Sequence, residues 1–102
     1  MAETFTKVRQ SNNVTITKPG KFKVVFYNDD TTPMDFVIAV LIKVFRHNED
    51  NAVMLTMKVH NEGSAIAGVY SYEVAEQKGM EATNLARQNS YALVIKVEAE
   101  WA

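Results

Sequence analysis

The sequence has no cysteine, no long apolar run and no excess of charge of either sign. The absence of cysteine in 102 residues excludes disulfides, thiol nucleophiles and cysteine-ligated zinc sites. The balance of 11 Lys and Arg against 12 Asp and Glu argues against broad binding to nucleic acid or an anionic membrane, because both favour a basic surface. No stretch approaches the roughly 18 apolar residues of a membrane span. The N-terminus also lacks the apolar core of a signal peptide.

Residues that commonly carry catalysis are scarce as well. The 4 glycines form neither a dinucleotide fingerprint nor a phosphate loop, and no serine lies in a nucleophile elbow. His47 and His60 each begin a His-Asn-Glu triplet, but the cysteine half of a zinc deaminase motif is missing. We therefore expect no enzyme, no catalytic residue, no metal and no cofactor.

The chain divides into an arm and one domain. Residues 1–19 are polar, show no sustained apolar period and end at Pro19-Gly20, so a flexible arm is predicted there. An alternative is an edge strand at residues 14–17, where β-branched residues alternate with others. Residues 20–102 are assigned to a single domain, since two domains would each be too short to fold alone.

A strand and a helix open the domain. Residues 21–27 alternate in hydrophobicity with the period of a half-buried strand. Thr32 is predicted as the N-cap of the following helix, with Pro33 at its first position and Asp35 as the capping-box acid. Apolar residues at helical spacing between residues 36 and 45 give this helix one wide apolar face.

A second helix is predicted from Asn48 to a C-terminal cap at Gly63. It carries two stripes, and both are expected to be covered: Ala52, Leu55, Thr56 and Val59 form one, and Val53, Met57 and His60 the other.

The rest of the chain is predicted as strand, helix and strand. Residues 65–70 form the second strand, and Ser71 caps a third helix that ends at Asn89-Ser90. The buried face of that helix is assigned to Val74, Ala75, Ala82, Leu85 and Ala86. Leu93, Ile95 and Val97 line one face of a final strand. The order β-α-α-β-α-β predicts a two-layer α/β domain with three helices on one sheet face.

Polar residues at the end of the first strand are candidates for binding. Asn28, Asp29 and Asp30 lie where a strand meets a helix, a position that often holds binding residues on a rigid scaffold. Taken alone, they also fit a solvated turn. Similarly, His60 alone fits a core or edge histidine, and Met34 alone fits packing filler.

Considered together, these residues resemble a known family. Residues 26–37, FYNDDTTPMDFV, are similar to the signature of ClpS, the adaptor of the Clp AAA+ protease. Val59-His60-x-x-Gly63 and residues 67–78 continue the match, and Ala86-Arg87-Gln88-Asn89 with the Leu93 strand completes it. The resemblance covers about residues 21–98, which is nearly all of the predicted domain.

The resemblance implies a fold, a partner and a location. The family fold is a three-stranded antiparallel sheet packed on three helices. Family members bind N-degron substrates, whose first residue is Leu, Phe, Tyr or Trp, and deliver them to a Clp-family AAA+ unfoldase of the ClpA or ClpC type. A bacterial cytoplasmic adaptor is therefore expected, with no nucleic-acid or membrane partner.

The resemblance also implies roles for individual residues. Asn28, Asp29 and His60 would hold the substrate's α-amino group, and Thr32 would bond the first peptide unit. Met34 would guard the entrance of a hydrophobic pocket that the following residues would line: Val37, Val59 and Leu93. These roles agree with the chemistry of an α-ammonium group, which has three N–H donors and needs acceptors and negative charge.

Two positions depart from the family pattern. Thr56 stands where many members have methionine, which would give a wider or more polar pocket wall unless Met54 or Met57 fills the space. Thr31 stands where an aromatic residue is common, and it is interpreted as a tolerated surface change.

The surface that contacts the unfoldase is less well defined by the sequence. Glu73 and Lys78 match the family's contact helix, although exposed charges on a helix usually serve solvation. The arm matches the family extension only in its position. Two other hypotheses remain open: an interaction or dimerisation module resembling the C-terminal domain of the ribosomal stalk protein, and a small metal enzyme using Asp29, Asp30 and His60.

Overall fold

A computed structural model describes residues 19–101 of the chain. Its elements are β1 (Phe22–Tyr27), α1 (Met34–Lys43), α2 (Glu49–Glu62), β2 (Ser64–Tyr70), α3 (Tyr72–Gln88) and β3 (Val94–Ala99). The predicted order β-α-α-β-α-β is therefore confirmed. The alternative strand at 14–17, and all of the predicted arm except Pro19, lie outside the described residues.

The sheet is antiparallel, with β1 in the centre and strand order β2-β1-β3. Phe22, Val24 and Phe26 are buried on the face of β1 that carries the helices, as their alternation predicts. Phe26 is paired with Ala65 of β2 and Ile95 of β3, so the end of β1 lies in the middle of the sheet. The loop after β1 consequently emerges beside the helical layer.

Helix α1 begins one residue later than the sequence predicts. Pro33 has an extended backbone, with φ −65° and ψ 143°, and occupies the N-cap position itself. The prediction of Thr32 as the N-cap is wrong, because its hydroxyl donates to the Asp29 carboxylate at 2.7 Å instead. The apolar face of α1 is buried as expected, and the ring of Phe45, just beyond its end, meets Phe26 edge to face.

Helix α2 has the predicted caps but only one buried face. The Asn48 side chain accepts a hydrogen bond from the backbone N–H of Asn51 at 2.8 Å. Ala52, Thr56 and Val59 are buried, whereas Val53 and Met57 are about 40% exposed. The expectation that both stripes are covered is therefore wrong, because the helical layer stops at α2 on that side.

Helix α3 packs on the sheet through small residues. Ala75, Gly79, Ala82 and Ala86 recur at helical spacing and are buried, so the helix backbone approaches the strands closely. A Cβ at Gly79 would meet the Val97 side chain at 3.2 Å. The assignment of Val74 to the buried face is wrong, since this side chain is exposed. Ser71 holds the N-cap position without a side-chain hydrogen bond.

The core lies between the sheet and the three helices. Its largest fully buried side chains are Phe26, Leu41, Leu93, Val24 and Val40. Near the chain end, Trp101 packs edge to face on Phe22 and lies against Gly20. No helix between residues 19 and 101 is long and apolar enough to cross a membrane.

Candidate functional site

A cavity of about 190 Å³ lies between the loop after β1, the start of α1 and the second half of α2. It is lined by Asn28, Asp29, Asp30, Thr32, Met34, Val37, Thr56, Val59, His60 and Leu93. All nine residues that the sequence assigned to the amino group, the peptide unit and the pocket are therefore brought together. Asp30, which the resemblance left without a role, also lines the cavity.

Backbone hydrogen bonds bring the polar residues of the cavity together. The backbone N–H of Asn28 donates to the Gly63 carbonyl at 2.9 Å, which ties the end of β1 to the end of α2. Gly63 has φ 95°, a left-handed conformation that glycine adopts at little cost, and its N–H donates to the Val59 carbonyl. Asn28 and His60 therefore reach the same cavity although they are 32 positions apart in the chain.

Leu93 reaches the cavity from the C-terminal part of the chain. Its segment runs between α3 and β3, and the Arg87 guanidinium donates to the carbonyls of Tyr91 at 2.7 Å and Leu93 at 3.0 Å. The Tyr91 ring also packs edge to face on Phe36 of α1. These contacts fix the residues before β3, so Leu93 is buried where it completes the cavity wall.

The cavity is apolar inside and polar at its rim. The side chains of Val37, Val59 and Leu93 are buried, whereas Met34, Asn28 and His60 are exposed. Among the described residues, two aspartates and no Lys or Arg line the cavity. The rim therefore presents negative charge next to an apolar interior.

Asp29 is held in its ionised form by its neighbours. The hydroxyls of Thr31 and Thr32 donate to Asp29 Oδ2 at 2.6 Å and 2.7 Å. These hydrogen bonds, together with weaker ones from the two backbone N–H groups, lower the pKa of the Asp29 carboxyl below its ordinary value of 3.8. Thr31 is thus more than the surface change that the sequence predicted, and its spacing of two residues from an aspartate was the available signal.

Asn28 and His60 supply further polar atoms at the rim. Asn28 Nδ2 donates to Asp30 Oδ1 at 3.3 Å, so the amide oxygen of Asn28 is left as an acceptor. The His60 ring makes no hydrogen bond to any residue between 19 and 101, although His47, the other histidine, bonds the Ala67 carbonyl. His60 lies in the last turn of α2, at the edge of the cavity.

Thr56 lines the cavity wall directly. It is 3% exposed, and its Oγ1 has no hydrogen-bond partner among the described residues. The alternative in which Met54 or Met57 fills the space is not supported, because both are exposed and neither lines the cavity.

The two residues matched to the unfoldase contact differ from each other. Glu73 is exposed in the first turn of α3. Lys78 is half-buried: its Nζ donates to the Val44 carbonyl at 2.8 Å and lies 5.5 Å from the centre of the Tyr70 ring. Lys78 is therefore not the freely solvated charge that the sequence indicated.

The metal-enzyme hypothesis has no geometric support. Asp29, Asp30 and His60 line one cavity, but in the described part of the chain no three His, Asp or Glu side chains group closely enough to hold a metal ion.

The fold and the cavity define a small α/β binding domain with an apolar pocket and an acidic rim. The model of the family "ATP-dependent Clp protease adaptor protein ClpS" matches residues 17–96 of the chain. The chain therefore belongs to the ClpS family, and this membership, rather than a stalk-protein domain, explains the motif residues.

Individual relatives agree with the family assignment. The ATP-dependent Clp protease adapter protein ClpS of Nautilia profundicola is 48% identical over 88 residues, covering 86% of this chain and 91% of the relative. That of Gluconobacter oxydans is 43% identical over 83 residues, covering 81% of this chain and 70% of the relative. Because these relatives are named as adapters, the chain is an adaptor rather than an enzyme.

A solved structure matches the fold. The structure of Agrobacterium tumefaciens ClpS2 bound to L-phenylalaninamide is 40% identical, with a TM-score of 0.78, and the match covers 81% of this chain and all of that one. The three-stranded antiparallel sheet on three helices is thus the fold that the resemblance implied.

Proposed function

We propose that this adaptor binds the free α-amino group and the bulky hydrophobic first residue of N-degron substrates in the cavity described above. The observation that carries the proposal is an apolar cavity whose rim holds an ionised carboxylate and, among residues 19–101, neither Lys nor Arg. An α-ammonium group attached to a hydrophobic side chain is complementary to that arrangement in both charge and polarity. The phenylalaninamide bound to the Agrobacterium relative is a ligand of this kind.

Each polar group at the rim has a part in the proposal. The three N–H donors of the ammonium would meet the Asn28 amide oxygen, the Asp29 carboxylate and the unprotonated nitrogen of neutral His60. The Thr32 hydroxyl already donates to Asp29, but its lone pairs can still accept from the N–H of the first peptide bond. An internal peptide nitrogen has one hydrogen and no charge, so the rim would reject internal segments.

The interior would select the first side chain by size and shape. A volume of about 190 Å³ is below that of pockets for drug-sized ligands, roughly 300–1,000 Å³, and suits a single side chain. Val37, Val59 and Leu93 would contact it on the inside. Met34, which is 38% exposed at the start of α1, would obstruct a branched β-carbon at the entrance.

Delivery would require a separate surface. The family partner is a Clp-family AAA+ unfoldase of the ClpA or ClpC type, which would act in the bacterial cytoplasm. Glu73 is the better placed of the two candidate contacts, because Lys78 is engaged with the Val44 carbonyl. The near-neutral charge of the chain gives no reason to add a nucleic-acid partner.

Titration with fluorescent peptides tests the proposal. Peptides that begin with Leu or Phe and have a free amino terminus should bind. Their N-acetylated forms should bind at least tenfold more weakly, since hydrogen bonds to charged groups are worth about 1.5–3 kcal/mol. An Ile-first peptide should also bind more weakly, because Met34 obstructs its branched β-carbon. Asp29→Asn should weaken binding of the free peptide, and Asp50→Asn on the far end of α2 is the matched control. Equal affinity for free and acetylated peptides would refute recognition of the amino group.

A further inference from the structure

Thr56 lies in the wall of the cavity, and its hydroxyl oxygen is buried behind the surface of that wall without a partner. Thr56 is the one buried polar or charged side chain between residues 19 and 101, and its Oγ1 makes no hydrogen bond there. A threonine inside a helix commonly satisfies its hydroxyl on the carbonyl four residues earlier, which here belongs to Ala52. That bond is not made, so the hydroxyl retains its full capacity as donor and acceptor.

The other inner walls cannot pair with this hydroxyl, because Val37, Val59 and Leu93 have apolar side chains. A buried hydroxyl with no partner is unfavourable, so a ligand that offers a polar atom at this point gains a hydrogen bond once the Thr56 side chain turns Oγ1 toward the cavity. A ligand with only hydrocarbon there would leave the hydroxyl unpaired. Thr56 can therefore distinguish ligands by polarity as well as by size.

The position of Thr56 indicates which part of a ligand would reach it. Thr56 precedes His60 by four residues on α2, so it lies about 6 Å from His60 along the helix axis. If His60 contacts the α-amino group, Thr56 lies about one helical turn further along the cavity, beside the side chain. Among Leu, Phe, Tyr and Trp, tyrosine carries its polar atom at the far end of the ring, and its hydroxyl can donate or accept.

We infer that Thr56 makes this pocket selective for tyrosine as the first residue, through a hydrogen bond between the phenolic hydroxyl and Thr56 Oγ1. The inference rests on the proposed function. Threonine divides between two χ1 rotamers in helices, so a single rotamer step can turn Oγ1 toward the cavity when a partner is present. A purely apolar pocket would have the opposite preference, because tyrosine would have to bury its hydroxyl without a partner.

The test compares the affinities of two peptides for two proteins, as in a double-mutant cycle. The peptides have free amino termini and differ only in a first residue of Tyr or Phe. The proteins are the full-length chain and Thr56→Val, which keeps the side-chain shape and removes the hydroxyl. On the wild type, Tyr should bind about three- to tenfold more tightly than Phe, and Thr56→Val should abolish this ratio. Thr56→Ser, which keeps the hydroxyl, should retain a preference for Tyr.

The possible outcomes distinguish selectivity for tyrosine from recognition of the α-amino group. Equal or tighter binding of the Phe peptide to the wild type overturns the inference, as does a Tyr preference that persists in Thr56→Val. Both results leave amino-group recognition intact as long as the acetylated peptides do not bind. Circular dichroism of each variant checks folding. If Thr56→Val does not fold, the wild-type ratio and its retention in Thr56→Ser decide the question.

Discussion

The charge of Asp29 is set by two hydroxyl groups that follow it in the chain. Because Thr31 and Thr32 donate to its carboxylate, the pKa of Asp29 is lowered from 3.8. The stabilisation from these bonds is therefore fully present above pH 3.8 and is lost as the pH falls through the lower folded-state pKa. Between pH 7 and 5 the carboxylate stays ionised, so a change in peptide affinity over that range must have another source.

His60 is the other proposed acceptor whose loss can be measured directly. His60→Ala should weaken binding of a free-amino peptide by about tenfold, because the ammonium loses one hydrogen-bond acceptor at the rim. His60→Gln places an amide oxygen at the same position, so its affinity should stay closer to that of the wild type. Fluorescence anisotropy at fixed pH and ionic strength measures both variants. Equal affinities of the wild type and His60→Ala would contradict the role of His60 as an acceptor.

At the scale of elements, the site depends on how α2 ends. Gly63 closes the helix in a left-handed conformation, and its carbonyl accepts from the backbone N–H of Asn28. One residue thus terminates α2, begins the turn into β2 and holds the loop after β1. On the other side of the domain, the small-residue face of α3 allows the helix to pack closely on Val97 of β3.

Substitution of Gly63 tests this dependence. Gly63→Ala should lower the free energy of unfolding by about 1 kcal/mol, because an alanine is strained at a positive φ. Space is not the cause, since a Cβ there has no neighbour within 4 Å. Gly63→Asn should cost less, because asparagine tolerates the left-handed region. Urea unfolding of the two variants measures the difference, and equal stabilities would show that the conformation of Gly63 is unimportant.

At the scale of the whole molecule, binding and delivery are expected to be separable. The cavity-lining residues of the described part of the chain lie between positions 28 and 93, whereas the predicted arm occupies residues 1–19. The family match begins at residue 17, close to the predicted boundary of the domain.

Deletion of residues 1–18 tests the separation. The shortened chain should bind a Leu-first peptide with an affinity within about twofold of wild type, since it keeps all ten of the described lining residues. Degradation of an N-degron reporter by the purified unfoldase and protease should decline. Replacing the arm with a Gly/Ser-rich segment of equal length controls for its length. Loss of peptide binding after the deletion would place the arm in the pocket and refute the boundary at residue 19.

The sequence predicted the elements well where the pattern was long and local. The alternation of Phe22, Val24 and Phe26 determined which face of β1 is buried, and Asn48 and Gly63 marked the ends of α2. The sequence predicted the burial of individual side chains poorly where that burial depends on which element packs against them. Val74 and Met57 have the apolarity and spacing of buried residues, yet both are exposed because no element covers them.

The resemblance identified the motif residues, but it did not predict which hydrogen bonds their side chains and neighbours make. The sequence brought Asn28, Asp29 and His60 together as candidates because they match one family signature. It did not show that Thr31 bonds the Asp29 carboxylate or that Lys78 bonds the Val44 carbonyl. Such bonds depend on side-chain directions, which residue type and spacing alone do not specify.

The sequence by itself determined the order of the elements, the absence of cysteine chemistry and the residues that match the family. Tertiary structure alone decided that the loop after β1, the end of α2 and the segment before β3 enclose one cavity. It also decided that the hydroxyl of Thr56 is buried there without a partner. The physical reason is that local patterns arise from neighbours along the chain, whereas a cavity and an unpaired hydroxyl arise from the packing of segments that are distant in sequence.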